Sequence, residues 1–214
     1  MTGNLFERNW GTAAFGLLLK DITDSRIEGN AFRGNSVGLW AEGSNRIRVE
    51  RNVFEQNGWA VKIMANSVDN EFVRNDFLGN TFDVATNSRR SYSRFTGNYW
   101  DAYRGYDLDR DGVGDVPFRP VRLFSLIVER NEPSLVLLRS LLVIALDAAE
   151  RVLPSITPAT LVDERPLMAR AVATHATARG ARAKLASRQA TPKRARAWSV
   201  LPIPSITSIA RAGT

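Results

Sequence analysis

The sequence predicts an all-β protein, a right-handed parallel β-helix with a C-terminal helical cap and a disordered tail. Three observations carry that prediction. The pattern Asn-x-Phe-x-x-Asn recurs as NLFERN (4–9), NAFRGN (30–35), NVFEQN (52–57) and NDFLGN (75–80), with a degenerate GNYW at 97–100. The leading asparagines are separated by 26, 22, 23 and 23 residues. Finally, no segment before residue 120 has a helical 3.6-residue period; each repeat instead holds about three short strand-like pieces between Asn/Gly turns.

Residues 3–100 are expected to form the coils. Strand-like SRIEGN, IRVERN, EFVRN and SRFTGN precede the later copies, and FGLLLK, VGLWAE, AVKIMA and FDVATN follow the full ones. A fixed period of this size built from short strands describes a solenoid in which each coil covers the previous one. Equivalent residues then lie about 4.8 Å apart from coil to coil. Phe6, Phe32, Phe54 and Phe77 are expected to stack inside, and Asn30, Asn52 and Asn75 to form an amide ladder at a turn, where Asn tolerates left-handed backbone angles. Leucine-rich repeats share the period but require a leucine consensus and a return segment, both missing here. An antiparallel sandwich would leave the four regular copies to coincidence.

Residues 101–120 form an Asp/Gly loop closing the solenoid. Asp107, Asp109, Asp111 and Asp115, with the Val113 carbonyl, match positions 1, 3, 5, 9 and 7 of a calcium-binding loop around Gly112. Hard oxygen donors at alternate positions are what Ca²⁺ takes. Position 12, ordinarily a bidentate Glu, is Phe118, so a further donor such as Asp101 would be required. The bland reading is a solvated Asp/Gly turn without an ion.

Residues 121–168 are expected to be a helical extension, with Ser134 as N-cap behind Pro133 and Pro154 as the stop. Its apolar stretch is shorter than the about 20 residues that span a bilayer. The stretch reads as a cap for the solenoid core, or as a partner-binding surface presented by Leu135, Leu138, Leu142 and Leu146.

Residues 169–214 form a basic Ala/Arg-rich tail expected to be disordered. Residues 165–214 hold ten of the 29 basic residues and no acid, leaving 19 basic against 22 acidic residues in 1–164. The net charge of +7 therefore belongs to the tail, and the body offers no nucleic-acid footprint. With no cysteine, disulfides and thiolate chemistry are excluded; the single histidine, His175, lies in the tail. Nothing near Met1 resembles a signal peptide. The carboxylates of the coils, among them Asp69, Asp76 and Asp83, form no regular pair of the kind polysaccharide-cleaving β-helices carry, and an enzyme is not expected.

Residues 98–168, with NYWDAYRGYDLDRDGVGDVPFRPVRLF followed by ALDAAERVLP and LVDERPLM, resemble the NosD family of periplasmic β-helix proteins. The resemblance covers roughly 3–168 and is most specific in 98–168. It implies a non-enzymatic accessory protein, peripheral to the membrane. Its implied partners are the ATPase and membrane subunits of an ABC transporter and nitrous oxide reductase, whose copper site the system assembles. Complete family members are longer, with a signal peptide and more coils, so the chain is expected to be a C-terminal fragment. The family handles copper, but copper ligands are not identifiable: Met1, Met64, Met168 and His175 are the soft donors, and Met64 reads as core filler. The alternative is a carbohydrate-binding or carbohydrate-processing β-helix with a polyuronate groove lined by Trp40 and Trp59.

Overall fold

The computed structural model describes residues 1–88, 92–130, 133, 134, 140, 145, 146, 148 and 161–172. Thirteen strands make about four coils, three strands to a coil. Coil 1 holds β1 (Leu5–Glu7), β2 (Phe15–Lys20) and β3 (Arg26–Glu28). Coil 2 holds β4 (Ala31–Arg33), β5 (Val37–Glu42) and β6 (Arg48–Glu50). Coil 3 holds β7 (Val53–Glu55), β8 (Trp59–Ile63) and β9 (Glu71–Val73). Coil 4 holds β10 (Asp76–Leu78), β11 (Phe82–Thr86) and β12 (Arg94–Thr96), and β13 (Tyr99–Trp100) begins the next. Every pairing is parallel, and the three sheets run β1-β4-β7-β10-β13, β2-β5-β8-β11 and β3-β6-β9-β12. The expected parallel β-solenoid is the observed architecture.

Register follows the repeat. Phe6 lies against Phe32, Phe32 against Phe54, Phe54 against Phe77 and Phe77 against Trp100. Their rings stack at 4.9, 4.8, 5.1 and 4.1 Å with planes within 11° of parallel. A second interior row on the third sheet is Ile27, Val49, Phe72 and Phe95. In-register stacking is forced because a slip of one residue would turn each phenylalanine out of the core.

Two amide ladders run along the solenoid. In the first, the backbone N–H and Nδ2 of Asn30 both donate to Oδ1 of Asn52, at 2.9 and 3.0 Å, and Asn52 repeats this on Asn75 at the same distances. The pattern extends from Asn4 at one end to Asn98 at the other. Asn9, Asn35, Asn57 and Asn80 form the second. All rungs from Asn30 to Asn98 in the first ladder are buried. One expectation needs correcting. The left-handed residue at each corner is not the asparagine but the one before it: Gly29, Arg51, Arg74 and Gly97 have φ of 61, 53, 53 and 64°, and Arg8, Gly34, Gln56 and Gly79 behave alike. The turn aims the asparagine inward, and its amide then holds the next coil.

The C-terminal region departs further from the sequence reading. A helix, α1, spans Leu123–Arg130 and buries Phe124 and Val128 against Phe82. The helix expected from Ser134 to Pro154 falls largely outside the described residues. Residues 161–172, expected as the end of a helical extension and the start of a disordered tail, are instead an extended strap with a defined place. The strap bridges in parallel to Phe95 and Tyr99 through Asp163 and Leu167, and antiparallel to Phe118 and Val113 through the same two residues. Pro166 bars a helical turn at its centre. No helix among the described residues is long and apolar enough to cross a membrane.

Candidate functional site

The loop after β13 is organised around Tyr103. Its hydroxyl donates to the Val116 carbonyl at 2.8 Å, and its ring lies where a Cβ would project from Gly105 or Gly114. Glycine is therefore required at both positions. Burial pushes the Tyr103 phenol above its usual range.

Within this frame the loop brings Asp107, Asp109 and Asp111 together, with one carboxylate oxygen of each within 4.8 Å of the others. Asp107 accepts from the backbone N–H groups of Asp111 and Gly112, and Asp111 accepts from Val113 N–H. Gly112 turns the chain at φ 84°. Asp115, the fourth expected acid, faces elsewhere: its Oδ2 accepts from Leu108 N–H at 2.7 Å. The Asp101 carboxylate accepts from Gly79 N–H and belongs to the solenoid end. Three hard donors thus converge in the expected order and can hold a cation of the Ca²⁺ class.

The loop is fastened to the strap. Gly114 N–H donates to Pro166 O at 2.7 Å, Met168 N–H to Gly112 O at 3.0 Å, and Phe118 and Asp163 exchange backbone bonds at 2.9 and 2.8 Å. Asp163 is fully buried, and its side chain serves as the last rung of the first ladder. Oδ2 accepts from Asn98 N–H and Nδ2, both at 2.9 Å, and from Trp100 Nε1 at 3.1 Å; Oδ1 accepts from Gly97 and Arg165 N–H. Five donors around one carboxylate compensate its desolvation.

Two further buried acids sit in coil 4. Asp76 accepts from Ala171 N–H, Val172 N–H and Arg170 Nε, anchoring the end of the strap; burial still raises its pKa. Asp83, 6% exposed, accepts from Asn80 Nδ2 at 3.2 Å. Burial pushes its carboxyl up to about 7; Arg122 and Asn80 oppose this, and Asp101 adds to it. The sequence reading took both acids for scattered residues. For Asp83 a usable signal existed: Asn80 ends its ladder with a donor pointing onward, so an acceptor had to follow.

Of the partner-surface residues, Leu135, Leu138 and Leu142 lie outside the described residues. Leu146 is half-buried and packs against the Phe82–Phe124–Val128 cluster. Trp40 and Trp59 lie on adjacent coils with Lys62 Nζ 5.1 and 4.5 Å from their ring centroids. Trp59 also stacks on Phe82 at 4.1 Å, and Trp40 meets Phe15 edge-on at 5.1 Å. Both rings are thus engaged within the protein, and no observation here favours a polyuronate groove. Met64 is buried, whereas Met1 and Met168 are exposed.

A parallel β-solenoid whose repeats carry ladders and stacked rings, and whose end is closed by an acidic loop and a strap, is a β-helix protein. The chain belongs to the NosD family. Residues 1–105 match the model of that family, described as "Periplasmic copper-binding protein (NosD)". The chain is similar to a "Probable ABC transporter binding protein NosD" of Pseudomonas aeruginosa, 30% identical over 193 residues that cover 78% of this chain and 42% of the relative. It is likewise similar to the protein of the same name from Stutzerimonas stutzeri, 30% identical over 194 residues with the same coverage. The chain thus spans well under half the length of these relatives.

Proposed function

We propose that the chain serves as a non-enzymatic periplasmic scaffold that acts with an ABC transporter in assembling the copper site of nitrous oxide reductase. The reading is carried by similarity to two relatives whose names describe ABC transporter binding, over 78% of this chain. A rigid solenoid supports it physically. The stacked coils hold their surface residues in a fixed array, which favours binding by reducing the ordering cost on association. Copper is cargo in this scheme. Its donors are assigned to the partners or to the part of the relatives' length that this chain does not span.

The test is copurification of the chain with the membrane subunit of its transporter. Leu138→Lys and Leu142→Lys are expected to abolish copurification while the strand signal in far-UV circular dichroism persists. Undiminished copurification would refute docking through this segment.

A second reading concerns the Asp107–Asp109–Asp111 loop, favoured by the convergence of its three carboxylates. We propose that it takes Ca²⁺ as a structural ion that rigidifies the loop against the strap.

A further inference from the structure

Asp83 stands at the end of a column of small residues. The pairings of β2, β5, β8 and β11 place it after Gly16, Gly38 and Ala60. A Cβ on Gly16 would lie 2.6 Å from the Gly38 carbonyl, and one on Gly38 would lie 2.6 Å from the Ala60 carbonyl. The following coil therefore fills the space beyond each glycine of the column. Among the described residues no further strand follows β11 in its sheet, so a longer side chain fits there.

In place of a coil, Asp83 is covered by the segment that leaves the solenoid. Val121 is buried in the main core, Arg122 faces the carboxylate, and α1 packs on β11 with Phe124 and Val128 against Phe82. Asp83 is thereby shut away from water with one amide donor, Asn80 Nδ2, among the described residues. Asp163, by contrast, spreads its charge over five donors. The charged groups that face Asp83 are Arg122, which draws the ionised form, and Asp101, which repels it. The described side chains of α1 include no titratable group, and Lys62 of β8 lies over the rings of Trp40 and Trp59. A carboxyl enclosed in this way is held more readily as an acid than as an anion, and burial raises its pKa accordingly.

We infer that residues 121–130 form a proton-controlled cover, seated while Asp83 is protonated and lifting from β11 as it ionises. The cause is linkage. Water that reaches the carboxylate under a lifted cover returns it to the ordinary range, so the seated state binds the proton more tightly. Acid therefore holds the cover down. Opening becomes easier by up to about tenfold per pH unit from about pH 4 to about pH 7, and levels off above, where both states are ionised. The fold thus carries a pH-sensitive joint at the point where the chain leaves the solenoid.

Thiol labelling of the full chain tests this, because the sequence has no cysteine of its own. Val128→Cys places a small apolar thiol on the buried face of α1, and Val61→Cys places one in the interior of coil 3 to report whole-chain unfolding. Each rate is divided by that of the same chain in urea at the same pH. The Val128→Cys ratio is expected to exceed the Val61→Cys ratio and to rise roughly 50-fold between pH 5 and pH 8. With Asp83→Asn added, an acceptor remains for Asn80 and the rise is expected to vanish. The inference is overturned if the Val128→Cys ratio is flat with pH, if its rise survives Asp83→Asn, or if the two thiols give equal ratios. Should Val128→Cys not fold, amide exchange at Ile127 and Val128 against Val61, with and without Asp83→Asn, decides by the same criteria.

Discussion

Asn98 Nδ2 lies 2.9 Å from Asp163 Oδ2, across 65 residues of sequence, and closes a file of amides that begins at Asn4. At every earlier position the acceptor is an asparagine, which must pass donors onward. At the last one it is an acid, which has none to pass. The choice of residue follows from the direction of the file.

That logic predicts opposite outcomes for one chemical change at two places. Asn75 accepts from Asn52 and donates to Val49 O and Asn98 Oδ1. Asn75→Asp keeps the acceptance, loses the donation and buries a charge facing the Asn98 oxygen. It should cost about 3–5 kcal/mol, against about 2–3 kcal/mol for Asn75→Ala. Asp163→Asn leaves an acceptor for Asn98 and should cost less than either. Urea midpoints at neutral pH order the three.

Gly38 reports on how closely the coils approach. A Cβ there would lie 2.6 Å from the Ala60 carbonyl and 3.3 Å from the Phe54 ring. Neither neighbour can move without disturbing the stack, so Gly38→Ala should destabilise by about 1–3 kcal/mol despite its better strand entropy. Thermal unfolding measures this directly.

Asp83 predicts an unusual pH dependence. Its carboxyl titrates at about 7 in the fold, against an ordinary value of 3.8. The folded state therefore binds this proton more tightly than the unfolded chain does. The stabilisation is fully present below about pH 4 and is lost as pH rises through about 7, a difference on the order of 4 kcal/mol. Asp83→Asn should remove this component, so the variant gains on the wild type as pH rises from 4.5 to 8. Paired urea titrations at the two ends of the window give the sign.

The loop predicts a calorimetric result. Ca²⁺ at about a hundred times its dissociation constant stabilises a folded protein by about 2.7 kcal/mol. At this chain length that raises Tm by roughly 5–10 °C. Asp109→Asn should abolish the shift without changing Tm in chelator. Equal shifts in both proteins would exclude Asp109 from ion binding.

The coils were legible because each interior position is dictated twice, by the strand pattern and by the coil beside it. Phe32, Phe54 and Phe77 occupy one row, so their sequence spacing reads out the register directly. The strap was not legible for the converse reason. It occurs once, and LVDERPLM contains neither the asparagine nor the phenylalanine of the repeat. Asp163 performs the asparagine's task in another residue type, and Phe118 packs against Trp100 with its ring tilted by 41°, from a loop that read as a calcium motif. Within that motif Asp107, Asp109 and Asp111 met as expected. Asp115 did not, because Leu108 N–H claims it.

The amides of the first ladder all face one way, so their dipoles add along the solenoid axis as peptide dipoles do along a helix. The Asn98 end is the positive pole, and the Asp163 carboxylate rests on it. Each rung polarises the next, so truncating an amide in mid-file should weaken the grip on the carboxylate several coils away. The electrostatic reach of this small side chain extends beyond the residues it touches.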